Sequence, residues 1–495
     1  MRTSLFCLLI VIGIAHAQLH ADVLQCDPSS PHMFKFLGNN IVNLNENQIV
    51  TFESFCFKSN KATFAWKTAT DAVVTIESHD KRNLFCTDAF VITSMMEVKM
   101  ETKFWSGKTT YEFKFKTPED QAYVRGNGIV VVPLCDKLRH IIPDVIDTAA
   151  MFADKLGNAL PKWLQTSIRK KNYKRLEELT GAKSVTRKVK QQLSADWLDK
   201  NVQSGDVYCE YGGDSVAVTI VFGTGGVCNH VGMFLRGEDG VLYAVESNPP
   251  SITMYKATDK IKVNSKDDSN FVILMLDDEN RAKFDVKKAW ATARSYMGVI
   301  YGWDNIVFSF WDTPENSFTQ LANAEILMTY IAFLEKIPAT KDFASQLVNE
   351  ALNHRLGTTG LSFPQILDTL GQRKMTIGQL GQIPEDPNWT YGADKGKRYI
   401  CSAFVTRLLI DAGVFGSLDI KPHEMTPNDV YNFKIWRTSK IPAECTLNDP
   451  YLPYCQVTGS RALLPFKWWN AIAPYSHMNE HCPSIAPLYE RPAGC

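Results

Sequence analysis

The chain has 495 residues, of which 45% are hydrophobic and 21% charged. This length exceeds what one hydrophobic core usually organises, so we expect at least two folded units, and the composition excludes long-range disorder. Lys plus Arg and Asp plus Glu number 53 each, a balance that gives no reason to expect nucleic acid or an anionic membrane as the main partner.

Residues 1–17 have the pattern of a signal peptide. Arg2 supplies the positive start, residues 5–14 form a short apolar run, and Ala-His-Ala at 15–17 matches a cleavage site. The run is shorter than the roughly 20 residues that a membrane span needs, which favours a signal peptide over a signal anchor. We expect a secreted or lysosomal (endomembrane-lumenal) protein with no integral membrane segment. The sequon at Asn388, a candidate glycosylation site on a surface loop, fits this compartment.

Residues 18–142 predict an all-β, sandwich-like domain. Short apolar or alternating segments, separated by turn-forming residues, are typical of strands, and a small β-sandwich accommodates them. We find no catalytic constellation here, which favours a structural or ligand-binding module. The segments lie at 49–52, 72–76, 111–115 and 129–132.

Residues 143–200 predict a helical linker. Apolar residues from Ile146 to Leu160 recur at spacings of three and four, which places them on one helix face. The basic run at 169–175 is typical of a solvated helix face. It could also contact a polyanionic glycan or an anionic lipid, or mark a processing site.

Residues 201–440 mix strands with helices, so the chain as a whole is predicted to be α+β. Residues 305–385 have helical periodicity and predict an insertion that could form a lid or a substrate wall. Residues 441–495 predict a Cys- and Pro-rich extension that wraps the surface. The predicted strands are 205–208, 228–235, 241–247 and 271–276, and the predicted helices are 283–297 and 401–412.

Cysteine counting separates one residue from the rest. There are 12 cysteines, and removal of Cys7 with the signal peptide leaves an odd number, so one thiol should stay unpaired in an oxidising compartment. Local spacing favours three bridges, and four further cysteines serve the N-terminal region, which leaves Cys401. The bridges are Cys209 with Cys228, Cys445 with Cys455 and Cys482 with Cys495, and the N-terminal four are Cys26, Cys56, Cys86 and Cys135.

A predicted hairpin brings an imidazole and a carboxylate together. Its five-residue connection, residues 236–240, is centred on Glu238, which places His230 directly opposite Glu246. Directly opposed side chains lie roughly 5 Å apart at Cβ, so the carboxylate can fix the ring tautomer and stabilise the imidazolium. A slip of one residue would place the two side chains on opposite faces.

The remaining member of the predicted site starts a helix. Cys401 precedes apolar residues at helical spacing, and Gly413 is a plausible C-cap. The N-terminus of a helix carries partial positive charge and unbonded backbone N–H groups, which favour a thiolate and can bind an oxyanion. This pattern predicts a Cys–His hydrolase site.

Each residue also has a structural interpretation. Cys401 could be a buried thiol or a disulfide partner, His230 a core or surface histidine, and Glu246 a charge at the end of a strand. Zinc binding by Cys228 and His230 is disfavoured, because a second pair of ligands is missing. We therefore expect no metal and no cofactor.

The order and context of four short motifs resemble the circularly permuted branch of the NlpC-type papain-like hydrolases, in particular the YiiX-like proteins. The similarity covers residues 205–300 and 395–415. Compact members of the family lack the β-rich domain and the insertion, and they commonly have an acidic residue where this chain has Ala403. The motifs are Gly-Asp-Val at 205–207, His-Val-Gly at 230–232, Val-Glu-Ser at 245–247 and Cys-Ser-Ala-Phe-Val at 401–405.

The resemblance implies a permuted papain-like domain with a Cys-His-Glu triad. Carried over, it names Cys401 as the nucleophile, His230 as the general base and acid, and Glu246 as the orienting group. Tyr301 and Tyr399 are both candidates for the tyrosine that the family often has near the site. Asp206 closes the Gly-Asp motif in a structural role.

The predicted function is a thiol hydrolase that cleaves an amide or ester bond in a peptide-like or acyl-lipid substrate. An acyltransferase acting on lipids is the nearest enzymatic alternative. A non-catalytic secreted binding protein that retains the fold is an alternative of another class. The aromatic residues between Trp303 and Trp311 could line an acyl pocket or belong to the core. The sequence does not indicate the oligomeric state.

Overall fold

The computed structural model describes residues 42–94, 97–134, 166–174, 184–186, 193–214, 217, 220–221, 228–266, 269–303, 341–381, 383, 398–418, 420, 422–448 and 454–463. Several predictions fall outside these residues: the signal peptide, the helix face at 146–160, the sequon at Asn388, the aromatic residues 308–311, Cys26, Cys135 and the pair Cys482–Cys495. The described part is α+β with antiparallel sheets, as expected, and it contains no helix long and apolar enough to cross a bilayer.

Elements are numbered along the chain. The strands are β1 (Val42–Leu44), β2 (Ile49–Phe52), β3 (Phe57–Trp66), β4 (Asp71–Lys81), β5 (Asp88–Thr93), β6 (Val98–Lys103), β7 (Gly107–Lys114), β8 (Ile129–Pro133), β9 (Ser184–Thr186), β10 (Val207–Tyr211), β11 (His230–Arg236), β12 (Leu242–Asn248), β13 (Ser251–Lys256), β14 (Asn270–Leu274), β15 (Cys455–Thr458) and β16 (Arg461–Leu463). The helices are α1 (Pro118–Asn127), α2 (Ala195–Asn201), α3 (Ala257–Lys266), α4 (Asp278–Lys283), α5 (Val286–Tyr296), α6 (Lys341–Leu356), α7 (Phe363–Arg373), α8 (Ile377–Gly381), α9 (Cys401–Asp411), α10 (Pro427–Asn432) and α11 (Ala443–Asn448).

The N-terminal unit is built on two four-stranded sheets, ordered β1-β8-β5-β6 and β2-β3-β4-β7. Buried and accessible residues alternate along β4, which is the period that a half-buried strand requires. Apolar side chains from both sheets form one core, which is the packing of a sandwich. The unit also contains a helix that the all-β prediction missed: α1 begins with Pro118 after Thr117, whose side chain accepts from the backbone N–H of Asp120.

Helices α6, α7 and α8 belong to this N-terminal unit, although residues 305–385 were predicted as an insertion in the hydrolase domain. α7 packs on α1, and the two backbones meet at glycines. A Cβ on Gly126 would stand 2.9 Å from the carbonyl oxygen of Gly371, and one on Gly371 would stand 2.7 Å from the carbonyl carbon of Ala122. These glycines let the helices approach closely, which gives the apolar face of α7 its partner.

The second unit is built on a six-stranded antiparallel sheet, ordered β13-β12-β11-β10-β14-β15. β15 lies in the region predicted as a surface extension, yet all four of its residues are buried. β9 lies in the predicted helical linker and pairs with β16. The predicted helix 283–297 corresponds to α5, which begins three residues later because Asp285 caps its start by accepting from the N–H groups of Lys287 and Lys288.

The basic run agrees with a solvated helix face where it is described. Residues 166–174 are helical, and Lys170, Lys171 and Lys174 are exposed. Two members are buried: Tyr173 donates from its hydroxyl to the carbonyl oxygen of Tyr211 at 3.1 Å, and Asn172 donates from its side-chain amide to the carbonyl oxygen of Gly213 at 2.9 Å. These contacts attach the helix to the end of β10.

Three disulfides occur in the described part of the chain: Cys56–Cys86, Cys209–Cys228 and Cys445–Cys455. The last two are the pairs that local spacing favoured. Within the same residues, Cys401 is the free cysteine, and it is buried.

Candidate active site

The hairpin that carries His230 and Glu246 has a register two residues away from the predicted one. Arg236 lies opposite Leu242, so the five-residue connection is 237–241. A shift of two residues keeps every side chain on its predicted face, whereas a shift of one would have reversed them. The pair therefore shares a face of the sheet.

His230 and Glu246 meet diagonally across the two strands. Continuing the register places Gly232 opposite Glu246, with His230 two residues away along β11. Diagonal neighbours remain within reach when the side chains are long. The Nε2 atom of His230 lies 2.7 Å from Oε2 of Glu246. The predicted partnership holds, although the two residues are not directly opposed.

Lys260 is a second cation at this carboxylate. It extends from α3, and its Nζ lies 2.7 Å and 3.0 Å from the two carboxylate oxygens of Glu246 and 3.0 Å from Oε1 of Glu210. Burial opposes ionisation of Glu246, but His230 and Lys260 outweigh it and hold the pKa of Glu246 well below its usual range. Burial likewise opposes the charge on Lys260, and Glu210 and Glu246 raise its pKa.

Tyr208 is the third hydrogen-bond partner of Glu246. It lies opposite Gly232 on the neighbouring strand, and its hydroxyl donates to Oε2 of Glu246. A Cβ on Gly232 would stand 2.2 Å from that hydroxyl, so a glycine is required for the ring to cross the strand. Burial, followed by the charges of Glu246 and Glu210, raises the pKa of Tyr208 well above its usual value, which keeps the hydroxyl protonated as a donor.

Cys401 is the first residue of α9, as predicted, and is 2% exposed. α9 packs against β11 and β12. Burial raises the pKa of the thiol, but His230 and hydrogen bonds from the backbone N–H groups of Val231 and Ser402 lower it overall.

The imidazole of His230 forms the centre of the site. Burial lowers its pKa, whereas the Cys401 thiolate and the Glu246 carboxylate raise it to about 10. With Nε2 bonded to Glu246, Nδ1 is the ring nitrogen available for the sulfur. The arrangement favours a thiolate–imidazolium pair, which is the reactive form of a cysteine nucleophile.

The two candidate tyrosines play different parts. The Tyr301 hydroxyl accepts from the backbone N–H of Cys401 and hydrogen-bonds its sulfur, while burial and the nearby thiolate raise the pKa of Tyr301 well above its usual value. Tyr399 stacks on His423 with 4.8 Å between ring centroids. Its backbone oxygen accepts from Ser247 Oγ at 2.6 Å, so Tyr399 anchors the start of α9, and Tyr301 contacts the thiol.

Asp206 has the structural role that was predicted. Its carboxylate accepts from the backbone N–H groups of Gln203 at 2.8 Å and Leu276 at 2.9 Å, and it pairs with Arg281. These bonds join the start of β10 to the residues after β14. Asp206 therefore stabilises the six-stranded sheet and takes no direct part in the site.

One group in the described part of the chain has the geometry of a metal site. The ligand atoms of Glu210, His230 and Glu246 lie within 4.8 Å of one another. The ammonium group of Lys260 contacts both carboxylates, which compensates their charge from within the protein. These residues therefore fit a buried ion-pair network better than a cation site.

Sequence reasoning did not find Lys260, Glu210 or Tyr208. Tyr208 directly follows Gly-Asp-Val, and a tyrosine paired with a glycine on the next strand is the signal that could have identified it. Lys260 lies on α3, and no local pattern predicts that its side chain points at Glu246. Comparisons with protein-family models, with curated proteins and with solved structures found no match to this chain.

Proposed function

We propose that this protein is a thiol hydrolase that cleaves amide or ester bonds with Cys401 as its nucleophile. The observation that carries the proposal is a connected chain of bonds: Glu246 to Nε2 of His230 at 2.7 Å, and the ring of His230 to the Cys401 thiolate. The resemblance of the four motifs to permuted NlpC-type hydrolases, YiiX-like proteins among them, supports the same assignment. The disulfides support a secreted or lysosomal location.

The proposed reaction uses the thiolate–imidazolium pair as it stands. The sulfur attacks the acyl carbon, and the carbonyl π pair moves to oxygen. When the intermediate collapses, the leaving amine or alkoxide takes a proton from His230, and an acyl-thioester remains. His230, now neutral, takes a proton from water, whose hydroxide attacks the thioester and expels the thiolate. Glu246 holds the ring throughout and stabilises its charged form.

The oxyanion would be held by groups around the sulfur. Backbone N–H groups of Val231 and Ser402 point towards Sγ, and the Tyr301 hydroxyl is a protonated donor beside it. Donors that are fixed in place before the reaction cost no reorganisation when negative charge develops on the carbonyl oxygen. Tyr301 therefore takes the role expected of the family's tyrosine.

The direct test is labelling with an acyl-type, cysteine-directed activity probe. We expect the wild type to be labelled at Cys401, identified by peptide mass spectrometry, and Cys401→Ala to remain unlabelled. Tyr243→Phe, on an exposed part of the same hairpin, is the matched control and should be labelled normally. If Cys401 is found in a disulfide, or the wild type reacts no faster than a denatured sample, the enzyme is excluded in favour of a non-catalytic binding protein.

A second experiment identifies the substrate class and the type of reaction. A panel of N-acyl amides and acyl esters, incubated in water alone and with added alcohols or amines, separates hydrolysis from acyl transfer. Hydrolysis predicts free acid in every case. A lipid acyltransferase predicts acylated acceptor, with little free acid when the acceptor is present.

A further inference from the structure

One end of the N-terminal sandwich exposes three large apolar side chains. Leu84 is 79% exposed, Phe85 89% and Trp105 76%. Leu84 and Phe85 lie between β4 and β5, and Trp105 lies between β6 and β7. Because Ser78 pairs with Gly107, the two connections are at the same end of the unit. We call this end the apolar tip and define it as residues 53–58, 81–87 and 103–108.

The tip is held rigidly in its exposed form. Nζ of Lys81 donates to the backbone oxygens of Leu84 at 2.9 Å and Phe104 at 2.5 Å, and it lies 3.8 Å from the centroid of the Phe104 ring. The Cys56–Cys86 disulfide also ties the connection between β4 and β5 to the residues before β3. Lys81 thus clamps the two connections together while their apolar side chains project into solvent.

The charge of the tip differs from that of the whole chain. Its three segments contain five basic residues and one acidic residue, Glu53, and two accessible carboxylates, Glu77 opposite Lys108 and Asp80, lie just outside them on β4, so the end is positive by about two charges in a chain whose net charge is zero. Lys81 and Lys103 bond internally, and Arg82 pairs with Glu53. Lys58 and Lys108 are exposed within the same segments. The tip therefore combines an apolar surface with positive charge.

We propose that the apolar tip docks on an anionic phospholipid bilayer, with Leu84, Phe85 and Trp105 inserted at the interface. Tryptophan and phenylalanine favour the boundary between headgroups and acyl chains, and basic residues beside them meet lipid phosphates. A polyanionic glycan would match the charge, but it offers no apolar phase for three side chains. This attachment is peripheral and independent of the thiol chemistry.

The test is flotation of the full chain with vesicles of phosphatidylcholine alone or with about 30% phosphatidylserine. We expect binding that increases with phosphatidylserine and weakens with salt. The variant with Leu84→Ser, Phe85→Ser and Trp105→Ser should lose at least about tenfold in partitioning. Lys58→Gln and Lys108→Gln should each cost about fivefold.

The matched control removes apolar surface elsewhere in the same unit. Ile49 and Met100 are 57% and 54% exposed on edge strands, and Ile49→Ser with Met100→Ser should bind vesicles like the wild type. Unfolding midpoints of all variants verify that the fold is retained. The proposal is overturned if the wild type binds neither vesicle, if the triple-serine variant binds equally well, or if the tip instead binds heparin and ignores vesicles.

Discussion

Two buried carboxylates, one in each unit, respond oppositely to burial. Asp88 in the sandwich accepts from the Ser54 hydroxyl and from the Cys56 N–H at 2.8 Å. Burial dominates over these neutral donors and raises the pKa of Asp88 to about 6. Glu246 is as deeply buried, yet the charges of His230 and Lys260 hold its pKa well below its usual range.

The difference comes from the partners of the two carboxylates. Asp88 bonds to neutral donors, while Arg82 and Lys81 act on it only through their more distant charges. Glu246 directly contacts two cations within 2.7 Å. Two direct cationic partners hold the carboxylate of Glu246 in its ionised form, which the proposed chemistry requires.

Among the changes considered, removal of Lys260 should cause the largest loss of stability, because it removes one of the two cations that distinguish Glu246 from Asp88. Lys260→Met leaves Glu210 and Glu246 facing each other without their shared cation, so we expect a loss of about 3–5 kcal/mol in the free energy of unfolding. The pKa of Glu246 should rise, as burial raises the pKa of Asp88, because one of its two direct cationic partners is lost. Denaturant unfolding measures the loss, and Lys262→Met, exposed on the same helix, is the control. An unfolding free energy equal to that of the wild type would show that Lys260 is not required.

Asp88 should make the sandwich more stable in acid. A carboxyl group whose pKa is raised by folding contributes stability below its unfolded pKa and loses that contribution as pH rises through about 6. The raised value corresponds to at most about 3 kcal/mol between pH 7 and pH 4. We expect Asp88→Asn to remove this pH dependence, measured as the difference in unfolding free energy from the wild type at each pH. A difference that is constant with pH would contradict the assignment.

Glu246→Gln should weaken the thiolate without removing it. The imidazolium loses its carboxylate, so the pKa of His230 falls and that of Cys401 rises. Thiolate is lost as pH falls through the pKa of Cys401, and the variant should lose it at a higher pH. We expect iodoacetamide to alkylate Cys401 about 10- to 100-fold more slowly at pH 6. Glu238→Gln, on the hairpin turn, is the control, and an unshifted pH profile in Glu246→Gln would argue against the pairing.

Tyr208→Phe is the smallest of these changes. The ring retains its stacking on Phe271, with 4.8 Å between centroids, and Glu246 retains His230 and Lys260. Loss of one hydrogen bond to an ionised group should cost about 1.5 kcal/mol. Thermal unfolding measures it against Tyr243→Phe, whose hydroxyl bonds to Asp239 on the exposed turn and whose removal should leave the midpoint nearly unchanged. Equal midpoints for the two variants would place Tyr208 outside the network.

Local pattern was sufficient for much of this molecule. Alternation located β2, β4, β7 and β8, and helical spacing located α9 with Cys401 at its start and Gly413 just beyond its end, at φ 87°. The shared face of His230 and Glu246 was also predictable, because strand periodicity survives an even register shift. The exact register was not, since it depends on Arg236 remaining paired and on Gly240, at φ 78°, closing the turn.

Other features depend on contacts between segments far apart in the chain. Lys260 reaches Glu246 because β12, β13 and α3 fold back on one another, and no sequence spacing encodes that return. The placement of α7 depends on two glycines, Gly126 and Gly371, that look unremarkable in their own helices. The strand β15 was predicted as part of a surface extension. Its burial depends on its pairing with β14, which is distant in the sequence and is not predicted by the local pattern.

The packing of α1 on α7 at Gly126 and Gly371 joins two segments that are synthesised at different times. The strands of the sandwich and α1 leave the ribosome early, but the helix that covers α1 follows roughly 250 residues later, or roughly 12 to 50 seconds at ordinary translation rates. During that interval the second unit begins to emerge, while α1 in the first unit still lacks its partner helix α7. A nascent chain of this protein therefore leaves α1 without its covering helix for about half of its translation.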